Sequence, residues 1–303
     1  MNTPSFFQST GPAEKLYEVV RDDQDDRDLL ESLWRRFAPY CGDPFASFLT
    51  DARTNLRGRA WEMALGCLLL DGGLELRKPP SDGPDLCAIL DGRPAWIEAT
   101  TVDHGTGPDA VRRIERFGVV DHDAMIRRYT SALESKRKQQ VAFVKRSVVD
   151  EDDAFITAIN ASAIDLAGIE RASSYPDIVR AVYPIGEPHF VVPVSLEEVP
   201  RPGFDLEVRR EHPYRPEIPR VQSPTGIPAR AFLDPRYEAM SGVLFTASDP
   251  WDVRPSATMI VHNATAWVQI ARQLFPAERD FWYEPTATGF IVKCDDRRPS
   301  TGG

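Results

Sequence analysis

The chain has 303 residues, of which 42% are hydrophobic and 27% are charged, so it can bury a full core in one large domain or two smaller ones. Its formal net charge of −10 argues against a general polyanion-binding protein, because phosphate contacts supply most nonspecific affinity for nucleic acids. No apolar run approaches the roughly 20 residues that span a bilayer, and the N-terminus lacks the basic start and apolar core of a signal peptide. We therefore expect a cytoplasmic protein without a membrane partner.

The first predicted element is an N-terminal helix over residues 27–37. An acidic opening at residues 22–26 complements the positive end of the helix dipole, and apolar residues then recur at helical spacing. We interpret residues 1–50 as a helical extension that covers the core and carries no chemistry.

A second helix is predicted over residues 51–71, where a pair of glycines ends it. Leucines mark its buried side, and Glu62 falls beside that apolar stripe. Two interpretations of this carboxylate stay open. Glu62 is either part of an acidic site in the core or a boundary residue paired with Arg59 or Arg57.

After a short strand, residues 85–102 predict a β-hairpin made of two apolar strands joined at Asp91-Gly92. Successive strand residues point to opposite faces, so Glu98 and Thr100 share one face of the second strand. A carboxylate in the middle of so apolar a strand is costly unless it is paired, hydrogen-bonded or bound to a metal.

Asp85 opens the first strand of this hairpin, so the fold could bring it close to Glu98 in the second. Two close carboxylates repel each other, and a divalent cation between them relieves that repulsion. Asp82 is the nearest rival of Asp85, but it precedes a glycine in a loop, as turn residues often do. The hairpin therefore predicts the outline of a Mg²⁺ site.

The helix predicted over residues 122–146 has a lysine on its inward face. The members of that face recur at steps of four, three, four and three, and they are Tyr129, Leu133, Lys136, Gln140 and Phe143. Arg137 and Lys138 point away from this face. A buried lysine needs a carboxylate partner or a task, and the alternative is that Lys136 extends along the core edge to solvent.

The segment between Arg112 and Arg146 is locally basic. It contains 10 Lys/Arg and 4 Asp/Glu, although the chain as a whole is acidic. This excess is compatible with a solvated helix face or with a surface that faces nucleic acid, and both interpretations stay open.

The rest of the chain predicts further strands, a proline-rich insertion and one more helix. The strands are expected at residues 154–160, 189–194, 240–246 and 257–262. The proline-rich segment 193–235 predicts an ordered insertion or flap. Asn263 is expected to cap a helix over residues 264–274. We interpret residues 161–294 as a C-terminal extension packed on the core, and residues 295–303 as a disordered tail.

The hairpin resembles the PD-(D/E)XK signature of the restriction-endonuclease-like nuclease superfamily through Pro84-Asp85 and Glu98-Ala99-Thr100. The helix around Glu62 resembles the one that carries an extra acidic residue in that superfamily. The resemblance covers residues 53–145. It implies an α/β fold whose αβββαβ core, at residues 51–160, has a central mixed sheet flanked by helices.

The resemblance also implies a role for each site residue. Asp85, Glu98 and the backbone carbonyl of Ala99 would hold Mg²⁺, for which Mn²⁺ can substitute, and Glu62 would complete the metal shell. The sequence departs from the pattern at Thr100, where the superfamily usually has lysine. Some members supply this lysine from a neighbouring helix, and the candidate here is Lys136. The expected catalytic residues are Glu62, Asp85, Glu98 and Lys136, and the expected substrate contacts are Thr100, Gln140, Arg137 and Lys138.

The expected function is a Mg²⁺-dependent endonuclease that hydrolyses phosphodiester bonds of DNA, with RNA as an open alternative and with restriction or phage defence as the setting. A homodimer is compatible with this class. Sequence motifs of serine hydrolases, P-loop proteins, dinucleotide-binding proteins and zincins are absent. Two alternatives stay open: a nuclease fold without catalysis that binds nucleic acid or protein, and an unrelated α/β protein in which Asp85 and Glu98 form structural ion pairs.

Overall fold

The computed structural model describes residues 3–114, 120–191, 209–220, 223–286 and 289–297. The helices in these ranges are Lys15–Asp22 (α1), Gln24–Phe37 (α2), Phe45–Asp51 (α3), Leu56–Asp71 (α4), His122–Lys145 (α5) and Asp177–Val182 (α6). The first strands are Glu75–Arg77 (β1), Leu86–Leu90 (β2), Arg93–Thr101 (β3), Ala154–Asn160 (β4), His189–Val191 (β5) and Arg209–Glu211 (β6). The remaining strands are Glu217–Arg220 (β7), Ser223–Pro228 (β8), Gly242–Thr246 (β9), Thr258–His262 (β10), Arg279–Thr286 (β11) and Gly289–Asp296 (β12). Within the described ranges, every helix is too short or too polar to span a bilayer.

A large mixed sheet forms the centre of the molecule. Its eight strands are ordered β1-β2-β3-β4-β9-β10-β11-β12. The pairs β3–β4, β4–β9 and β10–β11 are parallel, and the other neighbours are antiparallel. The hairpins β5–β6 and β7–β8 lie outside this sheet. The predicted α/β class with a central mixed sheet is therefore confirmed.

Helices cover both faces of this sheet because its central strands are apolar on both sides. On one face, Ile97 and Leu244 pack in the same hydrophobic cluster as residues of α1 to α4, including Trp61. On the other face, Ile159 and Phe245 pack with α5 and α6. Full burial of each large apolar side chain contributes about 1.5–3 kcal/mol. The N-terminal helices thus share the core of the sheet.

Local sequence signals determine the hairpin that carries the predicted site. Strands β2 and β3 are joined by Asp91 (φ 50°) and Gly92 (φ 79°), and both residues have the positive φ that a type I′ turn requires. This turn fixes the strand register, in which Leu86 lies opposite Ile97. The predicted hairpin is confirmed, and its register places Glu98 on the face that α5 covers.

Helix α5 follows the predicted limits closely. The Asp121 side chain accepts a hydrogen bond from the Ala124 amide and caps its N-terminus. The helix connects β3 to the parallel strand β4, so it runs back along the sheet. The predicted helix over residues 122–146 is confirmed, and residues near its middle lie against β3.

Two predicted boundaries are wrong. The helix predicted from residue 51 begins at Leu56, because the Asn55 side chain accepts the Gly58 amide and starts a new helix after α3. The tail predicted to be disordered from residue 295 instead belongs to β12 as far as Asp296, which pairs with Arg279. Part of the proline-rich segment forms β6, β7 and β8, whereas residues 192–208 lie outside the described ranges.

The helix predicted over residues 264–274 is also wrong, because that segment forms turns. The Asn263 side chain does accept the Thr265 amide, as an N-cap could. However, the Trp267 amide donates to the Glu238 carbonyl of another segment, at 2.7 Å, instead of to a carbonyl one turn earlier. Tertiary hydrogen bonds therefore replace the helical ones.

Candidate functional site

A buried ion pair joins β3 to α5. Glu98 lies in the middle of β3, beside Thr157 of β4, and its Oε1 atom is 2.9 Å from Nζ of Lys136. Only 8% of the glutamate side chain and 12% of the lysine side chain are exposed. Lys136 thus lies on the inward side of α5 and contacts the strand carboxylate. The desolvation of two buried charges is costly, so such a pair needs a partner network or a function.

The second carboxylate oxygen of Glu98 has no protein donor. Oε2 is buried, and no hydrogen-bond partner for it is present in the part of the chain that the structure describes. Buried polar atoms are nearly always hydrogen-bonded or bound to an ion, because leaving one unsatisfied costs about 1–3 kcal/mol. Glu98 therefore presents one oxygen that is suited to a cation or a water molecule.

Asp85 lies within electrostatic reach of this pair. Its Oδ2 atom accepts a hydrogen bond from the Ala99 amide at 2.8 Å, which fixes the carboxylate against β3. Burial, and after it the charge of Glu98, raises the pKa of Asp85 to about 7, while Lys136 opposes the shift. Two acidic groups that repel each other in a buried site favour a cation between them.

Glu62 extends the acidic region on the α4 side. Its carboxylate receives both hydrogen bonds from Nη1 of Arg59, at 2.9 and 3.1 Å. Arg57 donates elsewhere, to Asp249 at 3.0 Å. Burial raises the pKa of Glu62 well above its ordinary value, and the charge of Asp85 is the next cause. Glu62 therefore pairs with Arg59, as one interpretation predicts, and the charge of Asp85 also acts on it.

Arg59 neutralises more than one acidic residue. In addition to Glu62, it contacts Asp43 at 3.1 Å and Asp51 at 2.8 Å, and its guanidinium group lies over the Phe48 ring. These contacts join α3, α4 and the segment between α2 and α3. Asp43 was not predicted, because it lies far from the motif in sequence and carries no local pattern.

A small cavity of about 20 Å³ lies between these acidic groups. Its walls include Asp43, Glu62, Asp85 and Cys41. A cavity of this size holds about one water molecule. Burial raises the pKa of the Cys41 thiol to about 12, so Cys41 stays protonated and does not supply a thiolate ligand at neutral pH. The ligand atoms that this cavity offers to a cation are therefore carboxylate oxygen atoms.

The chemistry of these donors suits Mg²⁺ more than a zinc ion, since Mg²⁺ prefers oxygen ligands. No group of three or more His, Cys, Asp or Glu side chains forms a metal cluster in the described ranges. Mg²⁺ is commonly held by one or two carboxylates while water completes its shell. Asp85 and Glu98 are the residues that would hold such an ion, because Glu98 keeps a buried oxygen without a protein donor.

The predicted substrate-binding residues have different surroundings. Thr100 is half-buried in β3, beside Ile159. Gln140 is buried, and its Nε2 atom donates to the Ala239 carbonyl at 2.6 Å, which anchors α5 to the segment before β9. Arg137 makes two hydrogen bonds of 2.8 Å to Glu134, and the side chain of Lys138 is exposed. Lys138 is therefore the most accessible of the four.

Comparison of the chain with family models, with curated proteins and with solved structures finds no significant match. The likeness of the hairpin to a nuclease signature therefore depends on the residues themselves. The geometry and chemistry of the site are therefore the basis for its function.

Proposed function

We propose that the chain is a Mg²⁺-dependent nuclease with a restriction-endonuclease-like core in residues 51–160. The order α4-β1-β2-β3-α5-β4 supports this proposal, because it is the αβββαβ order that the motif resemblance implies. The antiparallel β1-β2-β3 meander and the parallel β3–β4 pair are compatible with such a core. The substrate is a phosphodiester, with DNA preferred.

One observation carries the proposal: a buried lysine from α5 contacts the motif glutamate of β3. The Nζ atom of Lys136 lies 2.9 Å from Glu98, and the charges of both groups act on Asp85. The motif lysine is absent from β3, since Thr100 stands at that position. Lys136 thus supplies an ammonium group to the same carboxylate from a neighbouring helix.

Each side chain has a defined task in this proposal. Asp85 and Glu98 would hold the ion, and Glu62 would orient water in the small acidic cavity beside Asp85. A bound Mg²⁺ supplies Lewis acidity, which makes water more acidic and neutralises charge on a phosphodiester. Lys136 would donate hydrogen bonds to the attacking water and to the charge that develops on the phosphate. Products with a 5′-phosphate and a 3′-hydroxyl are expected from the family resemblance.

A nuclease-fold module without catalysis is the second candidate. The observation that favours it is Thr100 in place of the strand lysine, together with the engagement of Lys136 in an ion pair. Such a module would bind nucleic acid or protein and would not cleave. The two candidates differ in a single measurable property, which is hydrolysis.

Cleavage assays with Mg²⁺ or Mn²⁺ test the proposal on supercoiled plasmid, single-stranded DNA and RNA. Wild type is expected to cleave DNA, and Glu98→Gln and Lys136→Met are each expected to lose at least about 100-fold in rate. The matched controls are Glu284→Gln and Lys293→Met, which remove an exposed ion pair between β11 and β12. They are expected to cleave like wild type.

Absence of cleavage by wild type on all three substrates would favour the binding module. Cleavage that survives Glu98→Gln would place the active site elsewhere in the chain. If Glu98→Gln loses cleavage while Lys136→Met retains it, the nuclease proposal stands and Lys136 has no role in its mechanism.

A further inference from the structure

A groove of about 670 Å³ lies beside the ion pair, between the outer face of α5, the loop after β3 and the β7–β8 hairpin. We call it the α5 groove, and the residues that define it are Thr106, Asp109, Arg127, Lys138, Arg220 and Tyr237. Volumes of this size are typical of ligand sites. Lys136 projects from the opposite side of the same helix toward Glu98. The α5 groove is therefore separate from the carboxylates Asp85 and Glu98, and α5 lies between them.

The walls of the α5 groove are basic, although the chain carries a net charge of −10. Five lining residues are cationic and three are acidic, which gives a local excess of two positive charges. The cationic residues are Arg127, Arg128, Lys138, Arg220 and Arg236. This groove explains part of the basic excess between residues 112 and 146, and it favours an anionic ligand.

Arg127 provides a specific hydrogen-bond donor for an anionic ligand in the groove. Its side chain is 94% buried, and Nη1 donates to the Pro219 carbonyl at 2.7 Å. Its Nε atom is buried and has no hydrogen-bond partner in the described ranges, with the Asp109 carboxylate 3.4 Å away. A buried N–H group without an acceptor is costly. An oxyanion in the groove would supply that acceptor.

Two further arginines, Arg128 and Arg220, line the groove. Arg128 donates to the carbonyl and the carboxylate of Asp103, and a Cβ atom at Gly105 (φ +73°) would lie 2.9 Å from its guanidinium group. Gly105 therefore lets the loop after β3 close over Arg128. Arg220 is exposed on the β7–β8 hairpin and forms no ion pair with the described residues. The first arginine is held in place, whereas the second is available to a ligand.

The length of the α5 groove matches a chain of phosphates. Arg127 and Lys138 are 11 positions apart on one helix, so at about 1.5 Å per residue they are separated by about 16 Å. The Lys138 end of the groove is two residues from Lys136. A backbone lying along the groove would thus extend from Arg127 to Lys138, on the side of α5 opposite to Lys136. Three elements line the groove, and a single strand can follow a basic groove of this kind with its phosphates.

We propose that the α5 groove binds the sugar–phosphate backbone of single-stranded nucleic acid. This inference rests on the proposed nuclease function for the role of the strand, but the binding itself does not require hydrolysis. Arg127, Arg128 and Arg220 contact phosphate oxygens, which guanidinium groups bind through charge-assisted hydrogen bonds.

Fluorescence anisotropy in EDTA tests the groove without cleavage. The probes are a labelled single strand of roughly 20 nucleotides and the matching duplex. Arg128→Ala and Arg220→Ala are each expected to weaken single-strand binding by about tenfold and to make its salt slope shallower by about 0.7. Arg127→Met is expected to do the same if circular dichroism shows that it folds. The matched control is Arg254→Ala, an exposed arginine paired with Asp252 outside the groove.

The outcomes separate this inference from the proposed nuclease function. Single-strand binding that persists in Glu98→Gln and falls in Arg220→Ala supports the groove whether or not the wild type cleaves. If wild type cleaves, and if Arg128→Ala and Arg220→Ala bind the single strand and cleave like wild type, the groove proposal is overturned and the nuclease proposal stands. Tighter binding of the duplex, or no binding of either probe, would also overturn it.

Discussion

Replacement of Lys136 by methionine is expected to lower the free energy of unfolding by about 3–5 kcal/mol, because it leaves a buried carboxylate without its counter-charge. Glu98 is 8% exposed, and its Oε2 atom already lacks a protein donor. Methionine retains the length and apolar stem of lysine, so the loss reports mainly on charge. Urea denaturation in EDTA measures the effect, with circular dichroism as the probe.

The double variant Glu98→Gln/Lys136→Met is expected to regain most of this loss, since removal of both charges leaves no unpaired ion. The matched control Lys293→Met breaks an exposed pair with Glu284 and should have a much smaller effect on the free energy of unfolding. Millimolar Mg²⁺ should restore more stability to Lys136→Met than to wild type if the ion replaces the ammonium charge beside Glu98. A loss in Lys136→Met no larger than in the control would show that the pair is solvated and has no special role.

Asp85→Asn is expected to stabilise the protein at alkaline pH while removing its metal response. Burial and Glu98 raise the pKa of Asp85 from its ordinary value of 3.8 to about 7. The folded state therefore binds this proton more tightly than the unfolded state does. The stability that the proton contributes is complete below about pH 4 and is lost as the pH rises through about 7.

At about pH 8 in EDTA, Asp85→Asn should exceed wild type by on the order of 4 kcal/mol, and the difference should shrink by about 1.4 kcal/mol per pH unit toward pH 4. Mg²⁺ should stabilise wild type but not the variant, because a ligand stabilises only the state that binds it. Asp91→Asn is the control, since asparagine also suits the exposed hairpin turn. A pH-independent difference between Asp85→Asn and wild type would contradict the shifted pKa.

The parts of the fold that follow local rules could be predicted from the sequence. An Asp-Gly pair between apolar strands fixed the hairpin, and the recurrence of apolar residues located α5 and the inward position of Lys136. These signals also place Glu98 on β3 and Asp85 directly before β2. The site residues Asp85 and Glu98 were therefore accessible to sequence reasoning, although their function was not.

Features that depend on contacts between segments far apart in the chain could not be predicted from the sequence. The segment 264–274 has helical composition, but the Trp267 amide bonds to Glu238, and the Gln273 amide bonds to Asp280. The Arg59 cluster joins residues up to 19 positions apart through side-chain contacts that no local period indicates. The α5 groove likewise depends on the β7–β8 hairpin, which is about 90 residues from α5 in sequence.

Calorimetric titration with Mn²⁺ at about pH 8 measures whether Asp85 and Glu98 hold a divalent cation. Wild type is expected to bind a single Mn²⁺ per chain, and Asp85→Asn and Glu98→Gln are each expected to lose at least about tenfold in affinity. Asp91→Asn should bind like wild type. Equal Mn²⁺ binding by wild type and both site variants, or no binding by any of them, would contradict the proposed cation site and leave the two carboxylates with a structural role.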